Sequence, residues 1–100
     1  LHDALPIYSI EWNVSTGLVQ VYALRFKYMN TSGKPIPVLM KFIDAKRVVL
    51  KEDIQIFPET PDKWKMMSTT TGTFINAGHY KVLLSADTME GLAFDALDIQ

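Results

Sequence analysis

Tyr22-Ala23-Leu24-Arg25-Phe26-Lys27-Tyr28 decides the fold. Its large side chains fall at every second position, so Tyr22, Leu24, Phe26 and Tyr28 share one face, and Ala23, Arg25 and Lys27 share the other. A helix would scatter those four rings and branches around its circumference, whereas a strand gathers them. The strand is expected over Val19–Tyr28. The same period recurs in Ile36–Ile43, where Val38, Met40 and Phe42 oppose Leu39, Lys41 and Ile43. Both of its faces are largely apolar, which suits a strand with neighbours on both sides. His79–Ser85 repeats the pattern, with Tyr80, Val82 and Leu84 on one face.

Turn chemistry separates these runs. Asn30-Thr31-Ser32-Gly33-Lys34-Pro35 is built of residues that favour turn conformations. Asp44-Ala45-Lys46 is short enough for a hairpin into a strand over Arg47–Leu50. Phe57-Pro58-Glu59-Thr60-Pro61-Asp62 contains two prolines and is expected as a loop, because proline cannot donate to a ladder. Asn76-Ala77-Gly78 and Thr88-Met89-Glu90-Gly91 are further turns. About seven or eight short strands at this spacing, with no sustained helical period, predict an all-β antiparallel sandwich. One hundred residues make one domain, expected over residues 8–100. The opening Leu1-His2-Asp3-Ala4-Leu5-Pro6-Ile7 lacks the basic start and apolar stretch of a signal peptide and is expected to be a non-native or disordered leader.

Composition removes several classes of function. Ten basic residues stand against eleven acidic ones, and Lys46-Arg47 and Lys63/Lys65 are too sparse for a nucleic-acid surface. No run of about 18 apolar residues is present to span a bilayer as a helix. The chain has no cysteine, which removes disulfides, zinc thiolates and thiol nucleophiles. The two histidines, His2 and His79, belong to no metal-ligand spacing. No serine sits in a Gly-x-Ser-x-Gly setting, and no carboxylate pair is marked out for glycoside cleavage. The glycines are isolated, so no phosphate-cradling loop forms. These absences predict a domain without an active site of its own.

The C-terminal half carries a resemblance. After the strand Tyr22–Tyr28 come Trp64 within Pro61–Phe74, the run Ala77-Gly78-His79-Tyr80-Lys81-Val82, and a closing Gly91-Leu92-Ala93-Phe94-Asp95-Ala96-Leu97-Asp98-Ile99. This order resembles the carbohydrate-binding modules of families 6 and 35, galactose-binding-like jelly-roll sandwiches attached to polysaccharide-degrading enzymes. The resemblance spans roughly residues 8–100. It implies a non-catalytic module outside the cell or in the periplasm, with a glycan or plant-type polysaccharide as ligand and a catalytic glycosidase domain in the same chain. Its alternative is a structural accessory domain of such an enzyme that binds no sugar. It also implies a structural calcium, to which Asp95 would contribute. The acidic Glu-x-Glu pair of the family's opening strand is missing, and Glu11 is a lone acid. The family's ligand-contacting Asn, two residues before the Asp of the last strand, is replaced by Ala93.

Aromatic faces bind sugars by stacking on the apolar faces of pyranose rings. Covering roughly 100 Å² contributes on the order of 2.5 kcal/mol. Millimolar binding needs about 4 kcal/mol, so polar groups beside the ring must supply the rest. Trp64, at the mouth of a strand after a proline-rich loop, is the leading platform. Tyr28, ending its strand beside Asn30, Thr31 and Ser32, is the second, with Asn30 reading hydroxyls. Phe26, Phe42, Tyr80 and Phe94 are expected in the core, and Trp12 is expected to serve chiefly as a strand residue. By strict alternation Asp95 would share the core face with Leu97 and Ile99, unless a bulge near Phe94 turns it outward.

Overall fold

The computed structural model describes residues 8–100, and the leader expected over residues 1–7 lies outside them. Seven strands follow one another: β1 (Tyr8–Thr16), β2 (Ala23–Asn30), β3 (Ile36–Asp44), β4 (Val49–Phe57), β5 (Lys65–Thr70), β6 (Gly78–Ala86) and β7 (Leu92–Ile99). They form a four-stranded sheet, β1-β6-β3-β4, and a three-stranded sheet, β5-β2-β7. Every pairing is antiparallel. The fold is an all-β sandwich, and β2, β3 and β6, the three runs with the clearest alternation, each have a neighbour on both edges.

The inward face of the smaller sheet brings Leu24, Phe26 and Tyr28 from β2 and Phe94, Leu97 and Ile99 from β7. They meet Trp12 of β1, Val38, Met40 and Phe42 of β3, Phe57 of β4, and Val82 and Leu84 of β6. Phe26 is the centre of an aromatic cluster, with ring centroids 5.7 Å from Trp12, 5.9 Å from Phe57 and 6.2 Å from Phe94. Tilted and edge-on arrangements of this kind favour the rings electrostatically beyond the area they bury.

Three boundaries differ from the sequence reading. β2 begins at Ala23 rather than Val19. Residues 19–22 instead leave the sheet, and Gln20 forms an isolated bridge with Ile75. Tyr22 stays buried, and its hydroxyl donates to Leu18 O at 2.7 Å. β4 runs from Val49 to Phe57 rather than over Arg47–Leu50. Its central Lys51-Glu52-Asp53 hid the strand, because an edge strand tolerates charge where an interior strand would not. Phe57 is the fully buried end of β4, not part of the following loop.

Strict alternation also fails at Asp95. Lys27 pairs with Ala96 and Tyr28 with Phe94, leaving Asp95 as the extra residue of a bulge. The bulge resets the phase of β7, so Leu92 and Phe94 pack inward before it, and Leu97 and Ile99 pack inward after it. Asp95 therefore points to solvent and pairs with Lys27 Nζ at 3.2 Å.

Candidate functional site

Three loops gather at one end of the sandwich, joining β2 to β3 (31–35), β4 to β5 (58–64) and β6 to β7 (87–91). Asn30 ties the first two together. Its backbone N–H donates to Thr60 Oγ1 at 2.9 Å, and its carbonyl accepts from Thr60 N at 2.9 Å. The side-chain Nδ2 donates to Phe57 O at 2.9 Å and Lys34 O at 2.8 Å. Its Oδ1 accepts from Ser32 N at 3.0 Å and Ser32 Oγ at 2.7 Å. A fully enclosed amide is tolerated only when its donors and acceptors are matched in this way.

The third loop joins through Thr31 N, which donates to Gly91 O at 2.8 Å. Gly91 has φ +85°, and a Cβ there would lie 2.9 Å from Ser32 N. Glycine thus meets both a left-handed backbone and a close approach between loops.

These contacts frame two adjoining clefts that share Thr31 and Gly91. The larger, about 590 Å³, is polar and is lined by Thr31, Ser32, Lys34, Thr88 and Glu90 over Ile36. The smaller, about 290 Å³, lies against Met29, Leu92 and Ala93. Hydroxyls, one ammonium and one carboxylate supply donors and acceptors of both kinds, as a polyhydroxylated ligand requires. Neither Lys34 nor Glu90 was singled out from the sequence, because each joins the cleft only when its loop meets the others.

The residues expected to meet a ligand separate here. Trp64 is 45 % exposed, immediately before Lys65, which pairs with Tyr28. Trp64 closes the 58–64 loop, one residue before the first paired residue of β5, and belongs to the lining of neither cleft. Tyr28 and Asn30 do not share this position. Tyr28 is 2 % exposed, its ring is edge-on to Phe57 at 5.0 Å, and its hydroxyl donates to Pro58 O at 3.0 Å. Burial raises its phenol pKa above the ordinary 10.0. Asn30 is 0 % exposed. Both hold the loop end together from beneath and present no free face to a ligand.

Asp95 faces an ammonium rather than a group of carboxylates. Calcium takes about six to eight oxygens, commonly with several carboxylates. Among the described residues no three His, Cys, Asp or Glu side chains lie close enough to hold a metal, and Asp95 already faces an ammonium. His79 is exposed, and its Nδ1 lies 3.0 Å from Ser15 Oγ in a hydrogen bond.

No protein-family profile and no curated protein sequence matches the chain significantly. Solved structures do match. A family 35 carbohydrate-binding module from Clostridium thermocellum superposes with a TM-score of 0.73 at 23 % identity, covering 91 % of this chain and 68 % of that one. A family 35 module solved in complex with a glucuronic acid-containing disaccharide gives 0.73 at 18 % identity, covering 92 % and 65 %. An isomalto-dextranase of Arthrobacter globiformis, complexed with panose, gives 0.69 at 18 % identity, covering 91 % of this chain but only 16 % of the enzyme. The chain has the sandwich fold of the family 35 modules and spans about two thirds of their length.

Proposed function

We propose that this chain is a non-catalytic carbohydrate-binding module that takes a glycan at the loop end, with Trp64 as its stacking face. The fold likeness to family 35 modules over nine tenths of the chain is the observation that carries this reading. The polar cleft at the same loop end supports it, because stacking on one ring needs neighbouring hydrogen bonds to reach millimolar affinity. Thr31, Ser32, Lys34 and Glu90 are the side chains placed to provide them. In this account the module raises the local concentration of an attached glycan-degrading enzyme on its substrate. The match to a segment of a much longer isomalto-dextranase supports such an attachment.

Two observations favour a second reading, an accessory domain of a glycoside hydrolase with no sugar site. Ala93 stands where the resemblance places a ligand-contacting Asn, and Tyr28 and Asn30 are buried. A glycan array, run with and without calcium and including panose-type glucosides and glucuronic acid disaccharides, decides between the two. Binding that Trp64→Ala abolishes while the fold survives supports the module. Silence across the array at millimolar concentrations overturns it in favour of the accessory domain.

A further inference from the structure

A further cavity lies away from the three loops, where β1 and β6 meet the β3–β4 hairpin. It is a groove of about 670 Å³, with Glu11 and Asn13 of β1, His79 and Lys81 of β6, and Asp44 and Arg47 of the β3–β4 hairpin among its lining. Register fixes this arrangement. Asn13 faces Lys81 and Ser15 faces His79 across β1 and β6, while Ile43 faces Lys81 across β3 and β6. Glu11 and Asn13 of β1 and His79 and Lys81 of β6 therefore open on one surface, and the β3–β4 hairpin adds Asp44 and Arg47 at its end.

Its charges are not equally available. Lys81 Nζ pairs with Glu11 Oε2 at 3.1 Å, so these two largely cancel. Asp44 Oδ1 accepts from Lys46 N at 2.8 Å and Val48 N at 2.9 Å, so that oxygen is engaged in closing the hairpin. Arg47 forms no ion pair or side-chain hydrogen bond among the described residues and is the one formally charged group of the groove left without a partner there. Its place in the turn is also notable. Arg47 N donates to Asp44 O at 3.0 Å, and Arg47 has φ +67°. This is the left-handed position after a tight turn, where glycine is the favoured residue. The hairpin thus puts an arginine where turn geometry favours glycine, and that arginine borders the groove.

We propose that this groove is a second ligand site, separate from the loop-end cleft, and that it takes an acidic saccharide whose anionic group is received by the Arg47 guanidinium. A planar guanidinium meets a carboxylate or sulfate through two parallel hydrogen bonds. Asn13 and the free ring nitrogen of His79 stand beside it to bind hydroxyls. The volume lies within the range of small-ligand pockets, about 300–1,000 Å³. No aromatic face is open here: Tyr80 lines the groove but is buried and stacked on Phe42 at 5.0 Å. Recognition therefore rests on charge and hydrogen bonds, and a neutral sugar has little to hold it.

The test is amide-shift mapping of the 15N-labelled chain with three probes: digalacturonic acid, a sulfated disaccharide and neutral lactose. An acidic probe is expected to shift the amides of Arg47, His79 and Lys81, and whichever acidic probe does so identifies carboxylate or sulfate as the group received. Arg47→Asn removes the guanidinium with a residue that tolerates the left-handed backbone, and it is expected to weaken that binding at least roughly tenfold. Lactose shifting the groove as strongly as the acids, no probe shifting it, or Arg47→Asn binding unchanged would each overturn the proposal. Failure of the loop-end reading shows separately, as silence at Thr31, Trp64 and Gly91.

Discussion

Replacing Asn30 by alanine tests how the loop end is held. The substitution removes four side-chain hydrogen bonds, two donated to Phe57 O and Lys34 O and two accepted from Ser32. At a net worth of about 1 kcal/mol each, they sum to about 4 kcal/mol. The bond to Phe57 O is buried, while the others reach partly solvated groups that water can satisfy in the variant. The expected loss is therefore roughly 3 kcal/mol. For a domain of this size that lowers the Tm by about 12–24 °C. Asn30→Asp should fare no better, because its carboxylate accepts from Ser32 but faces the carbonyls of Phe57 and Lys34 without a proton to donate. Urea unfolding followed by tryptophan fluorescence, with a parallel melt by circular dichroism, reads the effect. If Asn30→Ala melted within a few degrees of the parent yet lost glycan binding, Asn30 would be a ligand-contacting residue and the loop-end account would be wrong.

Three further outcomes follow from the geometry. Gly91→Ala combines a left-handed φ with a Cβ 2.9 Å from Ser32 N, so it should cost at least about 1–2 kcal/mol in urea and move the Ser32 and Gly91 amides together. Tyr28 has a raised pKa through burial, so the folded chain resists its ionisation. That contribution is intact below the ordinary phenol value of 10.0 and is lost as pH rises through the raised one, so Tyr28→Phe should flatten the alkaline fall in Tm. At neutral pH the same variant should lose about 1 kcal/mol with the bond to Pro58 O. Asp95→Asn breaks a half-exposed ion pair with Lys27, which is worth less than about 1 kcal/mol, and a chelator should leave the Tm of the parent chain unchanged. A fall of many degrees on chelation would show a structural calcium.

The sandwich was legible wherever burial alternates within one strand. Leu24, Phe26, Val38, Met40, Phe42, Val82 and Leu84 announce their faces locally because their neighbours in sequence lie on the opposite face. β4 was harder to read, since its outward face carries Ile54 and Ile56 beside Glu52, while the charged Lys51 and Asp53 stand opposite Phe42 and Met40 on its inward register. The fate of Tyr28 and Asn30 was not legible. They sit at a strand end among turn residues, and what buries them is Phe57 and the loop at Pro58–Thr60, about thirty positions away in sequence. Asp95 depended on pairing too: a bulge belongs to the register between β2 and β7 rather than to β7 alone. Trp64, in the loop after the prolines, is half-exposed.

The most direct test of glycan binding at the loop end is an amide-shift map of the labelled chain, titrated with the strongest neutral glycan from the array. The account predicts shifts confined to Thr31, Ser32, Lys34, Trp64, Glu90 and Gly91, all lost in a folded Trp64→Ala variant. Binding that moves other surfaces and leaves these amides still, or that survives the loss of Trp64, would contradict it.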